Sequence, residues 1–114
     1  VSRAGSPRNS IHILRNTSTG GLINFAPPVN LLIDVTNFAT RLVLRDLNKD
    51  GKPEIIVSNS FNDNLFVFVN QSAGGTMSFN PTPIRISIKS ILTDTPTNYG
   101  IDVQDLNADG APDI

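Results

Sequence analysis

Nine residues, Asp46-Leu47-Asn48-Lys49-Asp50-Gly51-Lys52-Pro53-Glu54, constrain this chain more than any other stretch. They return almost unchanged as Asp105-Leu106-Asn107-Ala108-Asp109-Gly110-Ala111-Pro112-Asp113. In each copy oxygen-bearing side chains stand at the first, third, fifth and ninth positions. Glycine at the sixth suits a tight turn that needs positive φ, and the seventh residue can present its backbone carbonyl. The first loop thus gathers Asp46, Asn48, Asp50, Glu54 and the Lys52 carbonyl. The second gathers Asp105, Asn107, Asp109, Asp113 and the Ala111 carbonyl. Such a set suits a hard cation that takes about six to eight oxygen ligands, and calcium is the expected ion.

EF-hand and dockerin loops share the opening D-x-N-x-D-G but require an acidic ligand at position twelve and a helix after it. Here that position is Val57, inside a β-rich run, so both fail. An Asx-rich turn that bonds its own backbone would account for one such loop. Two copies at matched places, each crowding three carboxylates into nine residues, repel themselves without a counter-charge. That favours a bound cation.

The rest of the chain repeats as well. Asn16, Gly20, Gly21 and Phe25 recur 54 positions on as Asn70, Gly74, Gly75 and Phe79, and the loop residues recur 59 positions on. The difference is an insertion around Leu92–Asn98. Apolar residues come in short β-branched runs divided by Gly, Pro and Asn, which predicts strands over Ile11–Arg15, Leu22–Phe25, Glu54–Ser58, Leu65–Val69 and Ile84–Ile88, with a further apolar stretch over Val29–Val35 and Arg41–Arg45 leading into the first acidic loop. Ile84–Ile88 alternates like a half-buried strand. The unit is therefore about four short strands with a period of roughly 50 to 60 residues, as in propeller blades. One unit is whole, about 41–88. The other is split between 1–35 and 99–114, because Asp113-Ile114 at one end and Val1-Ser2 at the other match parts of Glu54–Ser58. The chain begins and ends in mid-pattern, as a processed or excised piece of a longer protein would.

Composition narrows the function classes. The 114 residues suffice for one small domain. The nine Lys and Arg are scattered and the net charge is −1, which speaks against a nucleic-acid partner. Cysteine is absent, which removes disulfides, thiolate metal sites and cysteine nucleophiles. No apolar run approaches the length of a membrane span. His12, the single histidine, lies in a strand and reads as an ordinary surface or core position. Asp34, Asp94 and Asp102 show no acid–base spacing. Asn16-Thr17-Ser18 and Asn70-Gln71-Ser72 match a glycosylation acceptor, but they fall at equivalent turns, and turn chemistry explains them better. Phe66 and Phe68 read as core or inter-blade packing.

Strand, D-x-N-x-D-G-x-P-[DE], strand, strand, N-x-x-x-G-G-x-x-x-F resembles the FG-GAP and VCBS repeats over essentially the whole chain. Tyr99-Gly100 is similar to the aromatic-glycine pair of the family name. The first unit has Thr40-Arg41 there and is nearer the VCBS form. Glu54 departs from the usual Asp at the ninth position. The resemblance implies an all-β fold of four-stranded antiparallel β-propeller blades, as in integrin α chains and bacterial adhesins. It further implies calcium in the loop joining the first two strands of each blade, and an extracellular or cell-surface setting.

The expected function is a non-catalytic, calcium-stabilised propeller module for adhesion or recognition, with a carbohydrate or protein ligand. The alternatives are the propeller portion of a secreted polysaccharide-acting enzyme and a purely structural repeat pair. About two blades leave two open faces, and repeat proteins need neighbours to bury them. Head-to-tail association of copies would close a ring of six or eight blades, the C-terminal strands of one copy completing the blade begun by the N-terminus of the next.

Overall fold

The β-branched and aromatic runs form short strands, punctuated where Gly, Pro and Asn supply turns. The computed structural model describes residues 10–33, 39–59, 64–88 and 100–114. Its strands are β1 (Ser10–Ile13), β2 (Val29–Leu32), β3 (Ala39–Arg45), β4 (Glu54–Asn59), β5 (Asn64–Phe68) and β6 (Ile84–Ser87), with no helix among the described residues. β3 to β6 form a four-stranded antiparallel sheet in chain order, and β1 and β2 pair as a two-stranded ribbon. This is the all-β, four-stranded blade that the repeat predicts. A register shift between Ala39 and Arg41 interrupts the β3–β4 ladder.

Side-chain alternation along β4 and β5 feeds two separate cores. Ile55, Val57, Phe66 and Phe68 point to one face, where Leu31 and Ile33 of the ribbon segment cover them and Ile11, Ile13 and Phe79 pack at the margin. Ile56 and Val67 point to the other face and meet Val103, flanked by Val43, Leu47 and Ile101. The two ends of the chain therefore cover opposite faces of the whole blade. The sheet lies between the segments 10–33 and 100–114.

Among the described residues each face is only partly covered. On the first face, Leu42 and Leu44 of β3 stay exposed, Leu44 at 56%. Val103, which stands at the position of Leu44 in the second unit, is 0% exposed because it has a sheet to pack on. On the second face, Ile84 and Ile86 pair with Val67 and Leu65, as Val29 and Leu31 pair with Ile13 and Ile11. Leu31 is buried against the blade, whereas its counterpart Ile86 is exposed. The alternation over Ile84–Ile88 is thus a true strand signal, but the expected half-burial is corrected: the whole of β6 is exposed, with no layer against it among the described residues.

The strand expected over Leu22–Phe25 is absent, and the equivalent stretch behaves alike. Leu22–Phe25 and Thr76–Phe79 make only isolated bridges, Thr19 to Leu22 and Asn16 to Phe25 in one turn, Ala73 to Thr76 and Asn70 to Phe79 in the other. In each turn a serine hydroxyl, Ser18 or Ser72, takes the cross-strand amide of Asn24 or Ser78 in place of a backbone carbonyl, which interrupts the ladder. The expected features at Val1–Asn9, Asp34–Val35, Leu92–Asn98 and Tyr99 lie outside the described residues.

Candidate metal centre

Both acidic loops adopt the same local structure. Gly51 and Gly110 have φ of 83° and 80°, as the sixth position requires. Lys49 and Ala108, at the fourth, are also left-handed, with φ of 61° and 62°. That second reversal has no signature in the sequence, because neither residue favours this region.

The reversals aim backbone amides at the acidic side chains. Asp46 accepts from the Asp50 amide through Oδ1 at 3.1 Å and from the Gly51 amide through Oδ2 at 2.8 Å. Asn48 Oδ1 accepts from Asp50 at 3.0 Å, and Asp50 Oδ1 from Lys52 at 2.9 Å. The second loop repeats each contact: Asp105 accepts from Asp109 and Gly110, Asn107 from Asp109, and Asp109 from Ala111. At the ninth position, Glu54 Oε2 takes the Leu47 amide at 2.8 Å and Asp113 Oδ2 takes the Leu106 amide at 3.0 Å. A carboxylate oxygen carries two lone pairs, so one amide leaves acceptor capacity for a cation. Among the described residues no three acidic side chains converge as a ready cluster, because each is turned toward its loop's own amides.

The ninth positions differ. Glu54 is almost fully buried and also accepts from the Asn70 amide at 3.4 Å. The Asn70 side chain in turn donates to the Pro53 carbonyl at 2.9 Å. The first loop is therefore strapped to the turn that follows β5. The Lys52–Asp50 ion pair, 3.8 Å long and exposed, contributes little beside these bonds. The two loops are neighbours, since a Cβ built on Gly110 would stand 3.9 Å from Lys49 Nζ. Arg45 ties the second loop's leading segment to the blade by two bonds to the Val103 carbonyl, at 3.1 and 2.6 Å.

The remaining candidates resolve locally. Asn16 and Asn70 each accept from the serine amide two residues on, and Ser18 and Ser72 each take an amide across the turn, Asn24 and Ser78. These are Asx-turns, so turn chemistry accounts for both N-x-S tripeptides. His12 is exposed, with its ring 2.9 Å from Ser10 Oγ. Asp102 bonds the Val103 amide and the Gln104 side chain. Asp34 and Asp94 lie outside the described residues.

A four-stranded antiparallel blade whose first two strands are joined by an acidic, doubly left-handed loop, with a second such loop following, defines a β-repeat protein. A family model described as FG-GAP-like repeat matches residues 46–114, from the first residue of one loop through the end of the other, and the chain belongs to that family. Comparison with curated proteins and with solved structures gave no match.

Proposed function

We propose that this chain is a non-catalytic, calcium-stabilised β-propeller module of an extracellular or cell-surface protein, acting in adhesion or ligand recognition. The observation that carries the reading is the duplication of one hydrogen-bond network in two loops 59 positions apart, each holding three acidic side chains. The donor set fits the ion. Asp46, Asn48, Asp50, Glu54 and the Lys52 carbonyl would hold it in the first loop, and Asp105, Asn107, Asp109, Asp113 and the Ala111 carbonyl in the second. All are oxygens, as calcium prefers. Bound calcium supplies charge neutralisation and a cross-link between the start and end of each loop. The chain's own part is to pre-form the loop through the amides that already grip Asp46 and Asp105.

Membership of the FG-GAP-like family supports the propeller setting, and the closer resemblance of the first unit to VCBS repeats and of both to integrin-like blades belongs to the same proposal. The partly covered faces support self-association into a closed ring of six or eight blades. Carbohydrate or protein ligands would bind through the loops at the ends of the blades. The test is thermal unfolding with calcium and with a chelator: stabilisation by calcium is expected, and an unchanged melting temperature would refute the metal reading.

A further inference from the structure

The two acidic loops share one hydrogen-bond network but not one charge. Their first, third, fifth and ninth positions carry the same donors, apart from Glu54 against Asp113. The fourth and seventh positions differ in kind: Lys49 and Lys52 in the first loop, Ala108 and Ala111 in the second. With three carboxylates in each, the nine residues of the first loop carry a formal charge of −1 and those of the second −3.

The two lysines go different ways. Lys49 reaches toward the second loop, where its Nζ would stand 3.9 Å from a Cβ on Gly110. Lys52 turns back on its own loop, its Nζ 3.8 Å from Asp50 Oδ2. In other respects Asp50 and Asp109 match. Oδ1 of each accepts from the amide of the seventh residue. Oδ2 of each accepts from the third-position asparagine, at 3.3 Å from Asn48 and 3.1 Å from Asn107. Among the described residues Asp109 has no ammonium or guanidinium at ion-pair distance. The fold does not need the Lys52 contact, because its two side chains are 42% and 35% exposed and so wet a pair adds little stability. Its effect falls on any other cation that approaches Asp50. A lysine at the seventh position also leaves the backbone carbonyl of that residue in place, so it changes the charge of the loop and not its oxygen set.

We infer that Lys52 sets the calcium affinity of the first loop, its ammonium serving as a tethered counter-cation at Asp50 that a divalent ion must displace. This rests on the metal reading proposed above. Charge count is one of the two levers that tune oxygen-ligand loops, the other being rigidity. The direction follows from the sign: a positive charge beside the carboxylate opposes a second one, so the loop fills only at higher calcium than its three acids alone would require. The opposition acts between exposed groups and is screened by salt.

Calorimetric titration of the full chain with calcium chloride tests this, with D109A isolating the first loop and D50A the second. In the D109A background, K52A installs the residue that stands at position 111, and K52M keeps most of the stem while removing the charge. Both are expected to lower Kd about three- to tenfold at low ionic strength. In the D50A background, A111K is expected to raise Kd by a similar factor. The shifts are expected to shrink in about 1 M potassium chloride, where the Debye length is about 3 Å. An unchanged Kd in K52A and K52M overturns the inference and leaves calcium binding standing. A shift in K52A without one in K52M assigns the effect to the stem and overturns it too. If D109A takes up no calcium with or without Lys52, the metal reading of this loop fails and the inference with it. Melting of the lysine variants in chelator is expected to match that of their parents; a marked drop there would make Lys52 a structural residue and overturn its role in affinity.

Discussion

The Glu54 carboxylate accepts the Leu47 amide at 2.8 Å and so ties the first residue of β4 back to the start of the loop that precedes it. The Asn70 amide, at 3.4 Å, approaches the other oxygen of the same group. Glu54 is 1% exposed, so its charge is held by amide dipoles in place of water. Replacing it by Ala leaves those amides without an acceptor in a buried place. Hydrogen bonds to charged groups contribute about 1.5–3 kcal/mol each. E54A is therefore expected to lose about 2–4 kcal/mol in urea unfolding, measured in chelator so that no metal term enters. E54Q, which keeps one acceptor oxygen, is expected to lose about half as much. A change within about 0.5 kcal/mol of wild type for E54A, as is usual at surface sites, would contradict this role of Glu54.

The sixth-position glycine separates backbone strain from crowding. A Cβ built on Gly51 meets nothing within 4 Å, so G51A has room. Its cost is conformational, since φ of 83° lies where an L side chain costs about 1–2 kcal/mol. Lys49 already bears a similar strain at φ of 61°. K49G would relieve it but adds the entropy of a glycine in the unfolded chain, about 0.5–1 kcal/mol. The expectation is a clear drop in urea midpoint for G51A and a near-neutral result for K49G. A loss in G51A no larger than that in K49G would contradict backbone strain as the cost at Gly51.

The loop glycines are legible in the sequence because only glycine takes positive φ cheaply, so D-x-N-x-D-G announces its own turn. The four-strand unit is legible because Leu65–Val69 and Ile84–Ile88 are β-branched or alternating, and because the second half repeats the first. The left-handed Lys49 and Ala108 are not legible, since their side chains carry no preference for that conformation and the surrounding amide network imposes it. Nor is the burial of Glu54, which by spacing reads only as an oxygen donor; its burial follows from Asn70, sixteen positions later. Half-burial of Ile84–Ile88 is a property of the layer opposite the strand, which a strand's own pattern cannot supply. The turns at Asn16 and Asn70 read as glycosylation motifs or as turns, and the paired serine contacts decide for the turn.

Val103 anchors the segment that carries the second loop. It is 0% exposed against Ile56 and Val67, and its carbonyl receives both Arg45 bonds. V103A removes two methyl-sized groups at about 0.8 kcal/mol each and leaves a partial cavity. A loss of about 2 kcal/mol is expected if residues 100–114 unfold with the blade. If they open separately, the global transition stays put and exchange of the Gln104 and Asp113 amides, which bond each other's carbonyls, speeds up instead. R45M is expected to act in the same direction, more weakly. Amide hydrogen exchange on both variants distinguishes cooperative from local opening.

Removing one carboxylate from each loop tests the metal proposal without dismantling the loop. Asp50 and Asp109 are exposed; each accepts a backbone amide through Oδ1, from Lys52 and Ala111, and a side-chain amide through Oδ2, from Asn48 and Asn107. In chelator, D50A and D109A each lose two solvent-exposed bonds, about 1 kcal/mol apiece or less, and also relieve repulsion among three negative charges, so their net effect is expected to be small. Calcium changes the comparison, because an ion that binds only the folded state adds about 2.7 kcal/mol per site at a hundredfold excess over Kd. The wild-type melting temperature is then expected to rise with calcium, each single variant to lose about half of that rise, and the D50A/D109A double variant to lose all of it. Full calcium response in the double variant would place the ion elsewhere in the molecule.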